Sequence, residues 1–362
     1  MRCPFFNRCG GCRYQDLPYP EGQLELKRAE LKRVLGLDVD IVPSPTPYGY
    51  RNRMDYVCAF SKIGLRERGS HKEVVDIDEC HLLPSRFLPL FRELRQAVRD
   101  SGIQTYNYLT HKGYLRYLIF RVAANTPDLM VTFVTASEDA AIMPLLEKAA
   151  QQASSVHWLV NDGLADTSFG RLHRHLKNAY IMETIGRYSY KIGPNTFFQN
   201  NGLLCESLFS FVRENVSGPT LDLFCGAGAI SIFISDAAES VLGVELEGPS
   251  IELAAENAAL NSVQNVRFEA SDARQWLLLN KECRDFSTIV VDPPRTGMGG
   301  KVARKVARLN AEKIVYVSCN AATLRDDLVW LTAAYQIEAI RAFDMFPQTP
   351  HVEVVTVMRR IH

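Results

Sequence analysis

Ile314-Val-Tyr-Val-Ser-Cys-Asn-Ala321 is an apolar, β-branched run that stops abruptly at a cysteine followed by a helix-starting asparagine. A run of this kind predicts a strand buried on both faces, as in a parallel sheet. Cys319 then stands at the carboxyl end of a buried strand, which is where open α/β sheets present their chemistry. A thiol in that position is either packing or a nucleophile, and its surroundings have to decide.

Working outward, residues 186–362 alternate strands with helices. Thr220–Phe224, Ser240–Glu245, Asn265–Glu269, Phe286–Asp292, Lys313–Ser318, Gln336–Phe343 and Val352–Met358 supply seven strands, which predicts a doubly wound, Rossmann-like α/β sheet. Residues 1–185 read differently. Pro20–Leu35 is an amphipathic helix with Leu24, Leu31 and Leu35 on one face, alternating acids and bases on the other, and Gly36 as its stop. Pro43–Pro47 is a linker. Tyr50–Phe60 and Leu65–Ile77 alternate like strands, Pro84–Arg99 and Asp139–Gln151 look helical, and Leu115–Ala123 with Leu129–Val134 makes a hairpin, so residues 37–185 predict an α+β domain.

The chain has 362 residues with 47% hydrophobic content, enough for two cored domains and too apolar for disorder. No run of about 18 apolar residues spans a bilayer, and the first residues lack a secretory core, so the cytoplasm is the expected compartment. Lys plus Arg equals Asp plus Glu at 41 each, so net charge does not argue for nucleic acid. Local basic groups do so weakly: Arg51 and Arg53; Arg66, Arg68 and Lys72; Lys112, Arg116 and Arg121; Arg171, Arg174 and Lys177 with His173 and His175. Taken singly, each reads equally well as a solvated face.

Nine cysteines in a chain with reduced thiols suggest metal or catalysis where they cluster. Cys3, Cys9 and Cys12 form C-x5-C-G-G-C, and Cys80 follows after a long gap. Four thiolates fit zinc or an iron–sulfur cluster, and three close cysteines with one distant favour the cluster. The bland reading is four unconnected buried thiols.

Asp222-Leu-Phe-Cys-Gly-Ala-Gly228 closes its strand with a small-residue turn, where Gly226 and Gly228 allow close backbone approach to a ligand. Glu245, at the end of the next strand, can accept both hydroxyls of a ribose. Asp272 follows the third strand, where it could reach an adenine or simply cap a helix. Asp292-Pro-Pro-Arg295 cannot continue the sheet, so it fixes a rigid loop at the same edge.

Five motifs together, D-L-F-C-G-A-G (222–228), D-P-P-R (292–295), S-C-N (318–320), F-F-Q (197–199) and H-V-E (351–353), resemble the S-adenosylmethionine-dependent RNA uracil-C5 methyltransferases over nearly the whole chain. The four cysteines resemble the iron–sulfur ligands of its ribosomal-RNA members. The likeness is greatest to the short 23S rRNA enzymes of the RlmC type, since the chain starts directly at those cysteines. The resemblance implies Cys319 as the nucleophile that adds to C6 of uracil and Glu353 as the base that removes the C5 proton. It implies S-adenosylmethionine held by Gln199, Phe224, Glu245 and Asp292, with Asp222, Gly226 and Asp272 nearby. It also implies an iron–sulfur cluster, 4Fe-4S in form, on Cys3, Cys9, Cys12 and Cys80, and an RNA partner, 23S rRNA ahead of the tRNA T-loop, with no membrane and no obligate protein partner. Ala321 stands where the family often has proline, which presets a helix start, so little is lost. Cys58, Cys205, Cys225 and Cys283 are expected to be structural. The rival outside catalysis is a cluster-bearing RNA-binding protein that keeps the fold without turnover.

Overall fold

The computed structural model describes residues 2–70, 72–281, 283 and 285–361. Its larger sheet is mixed and has eight strands, in the order Asp40–Val42, Tyr335–Phe343, Glu353–Arg360, Lys313–Ser318, Thr288–Val291, Pro219–Leu223, Ser240–Glu245 and Val266–Ala270. The last five in that order run parallel. Glu353–Arg360 is antiparallel to both its neighbours. Helices cover both faces, as the doubly wound reading expects. One face packs Leu24, Leu31, Trp276, Val302 and Leu324 against the sheet. Leu208, Ile230 and Ala258 pack against the other.

The expectation of seven strands is corrected to eight. Asp40–Val42, from the stretch read as the first domain, adds in parallel to the edge strand Tyr335–Phe343. Three residues are too few to show alternation, and no local pattern can encode a pairing with a strand so far along the chain.

The second sheet has seven strands, in the order Val74–Asp76, Lys62–Arg66, Arg53–Ala59, Leu115–Val122, Leu129–Thr135, Ser155–Val160 and Arg171–Lys177. It is antiparallel except between Leu129–Thr135 and Ser155–Val160, whose crossover carries the helix Met143–Ala150. That helix and Leu88–Asp100 seal one face through Phe91, Leu94, Leu145 and Leu146. The segment expected to be one strand from Leu65 to Ile77 is two, because Gly69 takes a left-handed turn with φ 78° and Glu67 N–H donates to Glu73 O at 3.0 Å.

The helix Glu21–Leu35 ends, as expected, at a left-handed Gly36 whose N–H returns to Lys32 O. Its buried face differs from the expected one. Gln23 and Lys27 are as buried as Leu24 and Leu31. Lys27 Nζ lies 2.5 Å from Asp344 Oδ1, with both side chains fully removed from solvent. The charge alternation suggested an outward lysine, but the carboxylate waiting for it is 317 residues away. Lys27→Met should leave Asp344 buried and unpaired, lowering stability by about 3–5 kcal/mol, whereas Lys27→Met with Asp344→Leu should recover most of the loss. Urea unfolding of the three proteins measures both.

Candidate active site

The turn after Pro219–Leu223 is built from three left-handed residues, Phe224 (φ 67°), Gly226 (φ 54°) and Gly228 (φ 77°). Gly228 has no room for a side chain, since a Cβ would come within 2.7 Å of Phe268. Gly226 faces open space, so its backbone is free to meet a ligand. Glu245 locks the turn from the next strand. Its Oε2 accepts from Gly226 N–H at 3.2 Å, and its Oε1 accepts from Leu246 and Glu247 N–H at 2.7 and 3.1 Å.

Asp222 lies beneath this turn, fully buried. Ser231 Oγ donates to its Oδ2 at 2.5 Å, and its Oδ1 has no partner among the described residues. Burial, reinforced by the Glu245 charge, pushes its pKa up to about 7. Asp292, on the loop after Thr288–Val291, is likewise raised to about 7 by desolvation and by Asp222, while the Gln199 amide opposes the shift. Gln199 Nε2 donates to Asp292 Oδ2 at 3.4 Å. The F-F-Q loop that carries Gln199 is itself held by the other domain, because Asn52 Nδ2 donates to Gln199 O at 2.7 Å.

The nucleophile candidate faces the base candidate across a strand pair. Ser318 is opposite Val354 in the antiparallel register, so the next step sets Cys319 opposite Glu353. Burial pushes the Cys319 thiol up to about 12; the charges of Glu353 and Asp292 add to the rise, and Arg295 opposes it. Glu353 is buried, its Oε2 has no partner among the described residues, and desolvation with the Asp292 charge holds its pKa well above the usual carboxylate range. Arg295 again opposes.

The structure therefore brings most of the residues read from the sequence to one edge. Gln199, Asp222, Phe224, Gly226 and Asp292 line a single cleft with the exposed Phe197. Cys319 opens into a second cleft with Arg295, Arg325 and His351, walled by the amino-terminal helix. Asp272 is exposed, and its Oδ1 caps its own helix by accepting from Gln275 N–H at 2.9 Å. Arg295 was part of a quoted motif without a role of its own. Only its position beside Cys319 shows that it is the cation opposing two acids there.

Cys3, Cys9, Cys12 and Cys80 come within electrostatic reach of one another. Burial pushes Cys12 up to about 12, with the charges of Cys80, Cys9 and Cys3 adding to it, and burial pushes Cys80 up to about 11. Among the described residues, however, no group of three or more His, Cys, Asp or Glu side chains is arranged to hold a metal ion.

A doubly wound sheet with a glycine turn, an acid on the following strand and unpaired buried carboxylates is the frame of a methyltransferase that takes a cationic nucleoside donor, and S-adenosylmethionine fits it. Asp222 and Asp292 are desolvated acids that could answer the sulfonium and amine of such a donor, and the open Gly226 backbone leaves room for close approach. The comparisons narrow this. Residues 171–361 match the family model of the tRNA (Uracil-5-)-methyltransferases. A tRNA (uracil(54)-C(5))-methyltransferase of Pyrococcus abyssi is 38% identical over 98% of this chain and 84% of its own length. A 23S rRNA (uracil(747)-C(5))-methyltransferase of the same organism is 33% identical over 99% of this chain and 85% of its own. The crystal structure of the Pyrococcus abyssi tRNA (uracil-54, C5)-methyltransferase in complex with S-adenosyl-L-homocysteine superposes with a TM-score of 0.83 at 34% identity, covering 99% of this chain and 87% of that one. The chain belongs to the tRNA (uracil-5-)-methyltransferase family and is an S-adenosylmethionine-dependent RNA (uracil-C5)-methyltransferase.

Asp222 and Asp292 keep their protons in the folded protein where the unfolded chain has lost them. The stability of the ligand-free enzyme should therefore fall as pH rises from about 4 to about 7. Thermal melting across that range should show the decline, and Asp222→Asn should flatten it.

Proposed function

We propose that this enzyme forms 5-methyluridine in tRNA, at the position its tRNA relatives name, uridine 54. What carries the chemistry is the register that sets Cys319 opposite Glu353 beside Asp292. What favours tRNA over the 23S rRNA expected from the sequence is the greater identity to the tRNA relative. A 23S rRNA uridine is the second reading, supported by the 33% identical relative that acts there.

The target base has to leave its stack to expose C6. Cys319, as thiolate, adds to C6, and the electron pair moves to C5 and the C4 carbonyl. S-adenosylmethionine, when bound, supplies the electrophilic methyl for C5. Glu353 then takes the C5 proton, the C5=C6 double bond re-forms and the C6–S bond breaks, returning Cys319 as thiolate. Burial makes Glu353 a stronger base than a surface carboxylate. Arg295 favours the Cys319 thiolate against the two acids. Gln199 steadies Asp292, and the exposed ring of Phe197 offers a flat face beside it.

We further propose that Cys3, Cys9, Cys12 and Cys80 ligate a 4Fe-4S cluster. Their mutual proximity supports it: the charges of Cys80, Cys9 and Cys3 all act on the buried Cys12, and cysteine thiolates are the usual ligands of such a cluster. Iron and acid-labile sulfide in anaerobically purified protein, lost in Cys12→Ser, would bear this out, and zinc or no metal would overturn it. No catalytic step runs through the cluster. The cytoplasm, where tRNA is met, goes with this reading.

RNA containing 5-fluorouracil should trap a covalent adduct with the parent enzyme and none with Cys319→Ala. Arg295→Ala should move the pH dependence of adduct formation to higher pH, because the thiol loses its opposing cation. Mass spectrometry of RNA from a knockout strain should show 5-methyluridine lost from tRNA. Loss from 23S rRNA alone would establish the second reading instead, and loss from neither would overturn both.

A further inference from the structure

The loop Asp344-Met-Phe-Pro-Gln-Thr-Pro350 joins the last two strands and ends three residues before Glu353. Its own contacts set its shape only in part: Thr349 N–H and Oγ1 donate to Phe346 O at 3.2 and 2.8 Å, yet Gln348 sits at φ 68° without a glycine's freedom. The amino-terminal segment holds it there. Arg13 and Tyr14 N–H donate to Gln348 O at 2.7 and 3.1 Å. Gln23 grips the same residue twice, its Oε1 accepting from Gln348 N–H at 2.9 Å and its Nε2 donating to Gln348 Oε1 at 3.0 Å. Lys27 spans the loop, pairing with Asp344 at 2.5 Å and donating to Phe346 O at 3.1 Å.

Cys319 borders the same helix, but it also has anchors of its own. It follows directly from a central strand, and Asn320 starts the next helix by accepting from Ala322 N–H at 3.1 Å while donating to Arg295 O at 3.1 Å. Glu353 is the first residue of its strand, paired opposite Phe343, and its Oε2 has no partner among the described residues. The chain enters that strand from the loop.

We propose that the helix Glu21–Leu35 is a clamp, with Lys27 and Gln23 as positioning residues that set the Glu353 carboxylate over C5. The clamp acts on proton removal and release, not on thiol addition. This rests on Glu353 being the base of the proposed mechanism. Loosening the loop displaces the base while the nucleophile stays in place, and a displacement near 1 Å is enough to slow a proton transfer severely.

The experiment separates the two half-reactions. Trapping by 5-fluorouracil RNA reports addition; with ordinary uridine RNA, the covalent adduct seen on denaturing gels and the methylated RNA released report elimination. Gln23→Leu and Lys27→Met should trap within about twofold of the parent rate, yet release product about tenfold or more slowly and accumulate adduct. Lys27→Arg, which keeps the charge, should retain more release than Lys27→Met. Gln23→Leu leaves the buried ion pair untouched, so it keeps the test open if Lys27→Met does not fold. Release as fast as in the parent, or equal slowing of trapping and release, in folded Gln23→Leu would overturn the clamp. Glu353→Gln is the reference: if it fails to accumulate adduct, the base assignment falls; if it accumulates adduct and the clamp variants do not, only the clamp falls.

Discussion

The site depends on one antiparallel register, the one that seats Glu353–Arg360 between Lys313–Ser318 and Tyr335–Phe343. A parallel strand delivers its last residue to the chemical edge of the sheet, which is how Asp222, Asp292 and Cys319 arrive there. A reversed strand delivers its first. Glu353 therefore reaches the same edge from the opposite direction, and a slip of one residue would turn it to the other face of the sheet.

The second constraint is charge. Three acids, Asp222, Asp292 and Glu353, are crowded into low dielectric, and Arg295 opposes the rise at Glu353. The same crowding keeps the Cys319 thiol protonated. In the proposed mechanism, a cationic donor beside Asp292 would offset both effects through its field.

Much of this was legible in the sequence because it is local. The buried run ending at Cys319, the glycines at 226 and 228 and the proline-rich stop after Asp292 each encode a strand end by themselves. Their convergence on one edge follows from the doubly wound pattern. What was hidden is what depends on distant pairs. Lys27 looked like surface charge because its partner is Asp344, and Asp40–Val42 looked like the start of a separate domain because its neighbour is Tyr335–Phe343. Asp272 was ambiguous in sequence and is a helix cap in the structure. The target RNA was read from the cysteines and the chain's beginning, neither of which touches the uracil chemistry. Relatives with the same catalytic motifs act on tRNA and on rRNA.

The short pairing of Asp40–Val42 with Arg341–Phe343 also sets an order of events during synthesis. Lys27 precedes its partner Asp344 by 317 residues, so the segment from Gln23 to Val42 is made long before its sheet edge, its loop and its buried carboxylate exist. Such long closure is slow, and it leaves a helix and an unpaired strand exposed in the meantime. The nascent chain stays at risk of aggregation until the strands from Tyr335 onward emerge, and Glu353 reaches its place only when these distant segments meet.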